Sequence, residues 1–156
     1  NMPLMVREIN LTEYLAKYIN GKQDVLNPEE AQLHATLQER KYYTMLEPEQ
    51  MQRVLDNLVE NSIKYSGKSP VHIEISLKYE SEKLHLKFSD NGNGVDEEKL
   101  LHVFEQFYRG DESRNKKEGN GLGLYIVKYL IEAMGGTVQA RNENGFVIEM
   151  VLPLTA

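Results

Sequence analysis

Asn57, Asn61 and Lys64 stand at i, i+4 and i+7, so on a helix they share one stripe while Met51, Leu55, Leu58 and Ser62 share another. An asparagine oxygen can ligate Mg²⁺ while its amide reaches a phosphate oxygen, and a neighbouring lysine can neutralise polyphosphate charge. A solvated helix face would carry the same residues, so the trio alone leaves both readings open. A second group is Asp90-Asn-Gly92-Asn-Gly94. A carboxylate there can accept a hydrogen bond from a purine amine, with glycines letting the backbone approach the base, and an Asx-type turn between a strand and a helix explains it equally well. A third group, Gly119-Asn-Gly121-Leu122-Gly123-Leu124, feeds a helix start, where free N–H groups and the positive dipole end suit an anion. A flexible hinge is the competing reading. A dinucleotide fold lacks its strand-turn-helix context and following acidic residue, and a Walker loop lacks Gly-Lys-Ser/Thr. Before this loop, Phe104-Glu-Gln-Phe107-Tyr-Arg109 joins core-packing aromatics to a cation that can contact a ligand. The four histidines, His34, His72, His85 and His102, have no metal-pair spacing and read as structural.

The elements that must position these groups are visible as periodicities. Residues 11–19 read as a short helix with Thr12 as N-cap. Residues 33–38 and 42–46 read as two strands of a hairpin around Glu39, Arg40 and Lys41. Pro48 suits a first helical turn, and Met51, Val54, Leu55, Leu58, Ser62 and Ile63 recur at helical intervals to about Tyr65. The run Ser66-Gly-Lys-Ser-Pro70 stops that helix, and 71–79 and 83–89 alternate as a hairpin. A short helix capped by Asp96 is expected over 96–103, then a long polar loop over 104–121 of a length typical of binding lids. Residues 122–134 resume helical spacing before Gly135-Gly136, and 137–141 with 146–152 form a last strand pair. Strand pairs alternating with single helices predict the α+β class in two layers: a mixed or mostly antiparallel sheet covered on one face by about three helices.

The chain has 156 residues, 40% of them hydrophobic and 27% charged, which fits one domain with one core. It has no cysteine, which excludes thiol catalysis, a disulfide scaffold and Cys-ligated zinc. A net charge of -6 disfavours sequence-independent nucleic-acid binding. No stretch approaches the ~20 apolar residues of a membrane span, so the chain by itself is expected to be soluble, with no membrane contact.

Taken in order, Asn57-Leu-Val-Glu60-Asn61-Ser-Ile-Lys64-Tyr65-Ser, Asp90-Asn-Gly-Asn-Gly94, Phe104-Glu-Gln-Phe-Tyr-Arg109 and Gly119-Asn-Gly-Leu-Gly-Leu-Tyr-Ile-Val-Lys128 resemble the N, G1, F and G2 boxes of sensor histidine kinases. The resemblance spans nearly the whole chain and implies their catalytic ATP-binding domain. That domain has the Bergerat fold, shared with gyrase, heat-shock chaperone and mismatch-repair ATPases, and a mobile ATP lid. It implies that Asn61 ligates Mg²⁺, that Asn57 and Lys64 contact phosphates, that Tyr65 packs on adenine and that Asp90 reads its amine. Gly92 and Gly94 would line the base pocket, Arg109 and Arg114 would reach the polyphosphate from the lid, and Gly119, Gly121, Leu122 and Gly123 would supply the phosphate-cradling turn. Glu60 matches a position proposed to assist proton removal from the acceptor histidine. ATPases of the fold carry Glu where Asn57 stands, and an amide cannot activate water as that base. Transfer of the γ-phosphoryl to a protein histidine, with slow hydrolysis, is the expectation.

The resemblance further implies a phosphoacceptor and dimerisation domain of the same parent kinase and a response regulator as partners. Residues 1–10 would be linker leaving that domain and 11–156 the catalytic domain, on the cytoplasmic side of a bacterial sensor. Two residues depart from the family pattern: Glu47 stands where Asp is frequent, with a capping role expected, and Asn144-Gly145-Phe146 lacks the Gly-Thr of the third glycine box, so contacts from that end are expected to be weak or absent. An anti-sigma-factor type Ser/Thr kinase shares the N and glycine boxes but not the Phe-x-x-Phe-Tyr-Arg segment. A nucleotide-sensing or docking module without phosphoryl transfer is the rival from another class.

Overall fold

The computed structural model describes residues 5–106 and 123–155. Strand β1 (Arg7–Asn10) runs directly into helix α1 (Leu11–Val25). The cap is Asn10, whose side-chain oxygen accepts from the Glu13 N–H at 3.1 Å. Thr12, the cap expected from sequence, instead donates its hydroxyl to the Arg40 carbonyl at 2.8 Å. The helix also continues past Ile19 through Gly21, a residue that lowers helix propensity without forbidding it.

The expected hairpin over 33–46 does not form. Strand β2 (Ala31–Leu37) pairs in parallel with β4 (Val71–Glu80), while β3 (Tyr43–Leu46) pairs antiparallel with β1 in a separate two-stranded sheet. Both segments alternate correctly, and the pattern that reports a strand carries no information about its partner. The β4–β5 (Lys83–Asp90) hairpin forms as expected, with Ser81 and Glu82 at positive φ in a two-residue turn. A short α3 (Glu97–Leu100) and then α4 (Leu124–Ala133) follow, and β6 (Thr137–Asn142) and β7 (Phe146–Pro153) form the last hairpin. The five-stranded sheet has the order β2-β4-β5-β7-β6, with one parallel pairing.

Helix α2 (Pro48–Tyr65) begins at Pro48 under the Glu47 side chain, which accepts from the Gln50 N–H at 2.8 Å. The core lies between one face of the sheet, with Ile73, Ile75, Leu84, Leu86, Phe88 and Met150, and the inner stripes of α1, α2 and α4. Leu11 and Leu15, then Met51, Leu55 and Leu58, then Leu124, Val127 and Ile131 are those stripes. This is the two-layer α+β architecture read from the sequence. The opposite sheet face is polar. There His34 meets His72 at 3.0 Å, and Glu149 is held by His85 at 3.0 Å and by Arg141 at 2.8 Å.

Helix α2 is fastened to α1 by two buried-ended tyrosines. Tyr14 donates to the Pro48 carbonyl at 2.5 Å and Tyr18 to Asp56 at 2.6 Å, with Lys22 also on Asp56 at 3.1 Å. Burial, with Asp56 nearby, pushes the Tyr14 hydroxyl up to about 12, and burial raises Tyr18 further. Those contacts fix the helix that carries the polar trio.

Candidate nucleotide site

The cleft lies where the C-terminal half of α2 faces the end of β5. Asn61, Ser62, Tyr65 and Ser66 line it from the helix side. Asp90, Gly94, Val95 and Phe146 line it from the sheet side, and the space encloses about 290 Å³ with its open mouth included. The depth follows from the α2 pattern, since Ser62 shares the stripe of Leu55 and Leu58 and is carried to the sheet with them. Asn61, one residue earlier, is turned outward and half-buried.

At the floor of the cleft, Asp90 is 7% exposed, an unusual place for a carboxylate unless its oxygens are paired. They are. Oδ1 accepts from the Gly92 N–H at 2.9 Å and the Phe146 N–H at 3.1 Å, and Oδ2 accepts from the Ser62 hydroxyl at 2.7 Å. Every one of these bonds arrives from a donor, so the group acts as an acceptor on both oxygens.

The turn after Asp90 is pressed against its surroundings. A Cβ on Gly92 would lie 2.5 Å from the Ser66 Cβ and 2.8 Å from the Ser66 carbonyl oxygen, and the Asn93 N–H donates to that same carbonyl at 2.8 Å. Gly92 therefore backs onto the end of α2, while Gly94 faces the cleft. Asn142 closes the far end, accepting from the Val95 N–H at 2.9 Å and donating to the Val95 carbonyl at 2.6 Å. Across the sheet Gly145, at φ 133°, lies so close to Asp90 that a Cβ would overlap its carbonyl oxygen. At the β6–β7 end, Gly145 abuts the Asp90 carbonyl and the Phe146 N–H is the donor that reaches the Asp90 carboxylate.

Among the other residues singled out from sequence, Tyr65 lies in the cleft lining with Asn61. Asn57 is half-buried one turn before Asn61, outside that lining. Glu60 and Lys64 are exposed and paired at 3.6 Å along the helix. Gly123 stands at the N-cap of α4 with φ 67°. Phe104 packs partly against the core, with the Lys128 ammonium 5.7 Å from its ring centre. Arg109, Arg114, Gly119, Gly121 and Leu122 lie outside the described residues.

Sequence reasoning missed Ser62, Ser66, Asn142 and Phe146 as parts of the site. A hydroxyl interrupting an otherwise apolar helical stripe was the available signal for Ser62. The donor set suits a nucleotide with a hard divalent ion: an amide oxygen at Asn61, an acceptor at Asp90 and an ammonium at Lys64. Among the described residues no three His, Cys, Asp or Glu side chains converge as a metal cluster. An ion here would take its remaining ligands from phosphate and water.

Comparison with known proteins gives one family. Residues 46–156 match the profile described as histidine kinase-, DNA gyrase B-, and HSP90-like ATPase. The sensor histidine kinase YvrG of Bacillus subtilis is 39% identical over 101 residues, 64% of this chain. The sensor histidine kinase WalK of the same organism is 35% identical over 111 residues, 70% of this chain. The chain spans only 17% and 18% of those relatives' own lengths. Among solved structures, the catalytic domain of histidine kinase ThkA superposes with a TM-score of 0.80 at 24% identity, covering 98% of this chain and all of that one. Full-length ShkA, solved in complex with AMPPNP, gives a TM-score of 0.78 at 18% identity, over 99% of this chain and 32% of its own. Both are likenesses of fold. With the family match covering α2, the aspartate turn, α3, α4 and the last hairpin, the chain belongs to the histidine kinase-, DNA gyrase B- and HSP90-like ATPase family.

Proposed function

We propose that this chain is the ATP-binding catalytic domain of a two-component sensor histidine kinase. It binds Mg-ATP in the α2–β5 cleft and presents the γ-phosphoryl to a histidine on a dimerisation domain of the same parent kinase. The observation that carries this reading is the buried Asp90 carboxylate, held by three donors with one lone pair of Oδ2 still open, at the floor of a cleft that also holds Asn61 and Tyr65. An acceptor there recognises an exocyclic amine, and the tyrosine supplies an aromatic face for the base. Asn61 would hold Mg²⁺, which when bound neutralises phosphate charge. Asn57 and Lys64 would contact the polyphosphate beside it, joined by Arg109, Arg114, Gly119, Gly121, Leu122 and Gly123 from the segment before α4. Gly92 and Gly94 would shape the base pocket, as the resemblance implies, and Glu60 would assist proton removal from the acceptor histidine.

Asn57 has no basic atom with which to activate water, which favours transfer to a protein side chain over hydrolysis. Most of the rate would come from positioning. The relatives named as sensor histidine kinases, and a neighbour solved with the response regulator TrrA, support a response regulator as the downstream partner. A cytoplasmic location and a linker role for residues 1–10 belong to the same reading. The test is to mix the chain with a phosphoacceptor helical hairpin and labelled ATP. Acid-labile, base-stable label on the hairpin histidine is the expected product. Label on serine or threonine, or nucleotide binding with no transfer, would point to the rival kinase or to a sensing module.

A further inference from the structure

Ser62 has a role at the Asp90 carboxylate that the box motifs do not supply. Its side chain is 3% exposed and lies on the buried stripe of α2, where an alanine would fit. Its hydroxyl is 2.7 Å from Asp90 Oδ2. The two backbone donors, from Gly92 and Phe146, both fall on Oδ1. An ionised carboxyl oxygen offers about two lone-pair directions, so Oδ1 is filled and Oδ2 keeps one for a ligand. With only Oδ1 anchored the carboxylate could swivel about that atom; the Ser62 hydroxyl fixes the other end.

We propose that Ser62 is the positioning residue that sets base selectivity in this cleft, holding Asp90 so that its remaining lone pair meets a 6-amino group and repels a 6-oxo group. The inference rests on the nucleotide reading above and deepens it. With its proton directed to Asp90, Ser62 offers only lone pairs to the cleft, so a base carrying a carbonyl at that position meets acceptors alone. Two apposed acceptors forfeit the hydrogen bond and leave desolvated oxygens unpaired. Removing the hydroxyl frees a second lone pair on Oδ2 and leaves room for water. A water there can donate to Oδ2 with one proton and to a 6-oxo group with the other, which erases the discrimination.

The experiment titrates ATP and ITP, which differ in the 6-substituent and in the N1 proton that accompanies the 6-oxo group, into the 156-residue chain by calorimetry with Mg²⁺ present. Wild type, Ser62→Ala, Ser62→Thr and Ser62→Val are compared, each checked for a cooperative melt. The expected result is an ATP-over-ITP preference in wild type that falls on the order of tenfold in Ser62→Ala, the usual size for losing a hydrogen bond to a charged group. Ser62→Thr retains the preference and Ser62→Val, of the same shape without the hydroxyl, loses it. Thr and Val thereby decide the matter even if alanine disturbs the fold. Equal loss of affinity for both nucleotides in the hydroxyl-free variants is what a merely structural serine gives, and it overturns the proposal. A wild type that selects ATP while Ser62→Val keeps the same ratio overturns the Ser62 role alone. A wild type that binds both nucleotides equally overturns the reading of Asp90 as base reader and the Ser62 role with it.

Discussion

Replacing Gly145 by alanine tests the contact that joins the last hairpin to the aspartate. Two costs add. At φ 133° an L-residue sits in a region that glycine alone adopts readily, at roughly 1–3 kcal/mol. The new Cβ also overlaps the Asp90 carbonyl oxygen, a backbone atom that can move only if β5 or the β6–β7 turn shifts. Forced repacking of a tight interior costs typically about 1–3 kcal/mol more. The sum, about 2–6 kcal/mol, is a large share of the roughly 5–15 kcal/mol that holds an ordinary domain together. For a chain of this length each kcal/mol moves the melting temperature by about 2–4 °C, so a fall of at least about 4 °C is expected. The comparison variant is Gly21→Ala: nothing lies within 4 Å of the added Cβ and the residue is inside α1, so it should gain about 0.5–1 kcal/mol. Paired urea and thermal melts measure both. A Gly145→Ala protein within about 0.5 kcal/mol of wild type would refute the packing of the hairpin onto Asp90.

Three further outcomes follow from the structure. Leu55→Ala empties a fully buried position between α2 and the sheet and should cost about 2–5 kcal/mol in a urea titration. Asn61→Ala should abolish metal-dependent nucleotide binding, read by calorimetry with and without EDTA, and leave the melting temperature near wild type because the side chain is half-buried at the cleft. Hydrogen bonds from Arg141, with a smaller contribution from His85, hold the Glu149 carboxyl below its ordinary value of 4.5. A lowered carboxyl stabilises the fold above its unfolded value, and that contribution fades as pH falls through the folded value. Glu149→Gln should therefore be less stable at neutral pH and show a flatter loss of melting temperature on acidification below about pH 4.5; an unchanged acid slope would count against the triad.

The fold was legible wherever a signal was local. The period of Met51, Val54, Leu55 and Leu58 with Pro48 at the start defined α2 to about its last residue, Tyr65, and the alternation over 71–79 and 83–89 defined the β4–β5 hairpin, whose strands run one residue further at Glu80 and at Asp90. Partnerships at a distance were not legible. Strands β2 and β3 alternate across a polar turn just as a hairpin does, and their separation depends on β1 and β4. Thr12 and Asn10 are both good caps by type, but the helix starts at Leu11 with Asn10 as its cap, which leaves Thr12 inside the first turn, where its hydroxyl donates to the Arg40 carbonyl 28 residues away. In the site, Asn61, Tyr65, Asp90 and Gly94 were found as motif residues and share the cleft lining. Ser62 was read as a small member of an apolar stripe, because its partner Asp90 lies 28 residues on. Gly145 and Phe146 were read through the absence of a Gly-Thr pair, although a glycine hydrogen and a backbone N–H, which no motif letter records, make their contacts with Asp90.

The most direct measurement of the nucleotide reading is a calorimetric titration of ATP into the chain with Mg²⁺, repeated with EDTA and with GTP. Saturable ATP binding that is lost in EDTA and is not reproduced by GTP is the result expected from Asn61 and Asp90 acting together. ATP binding indifferent to the metal, or GTP bound as tightly as ATP, would contradict it.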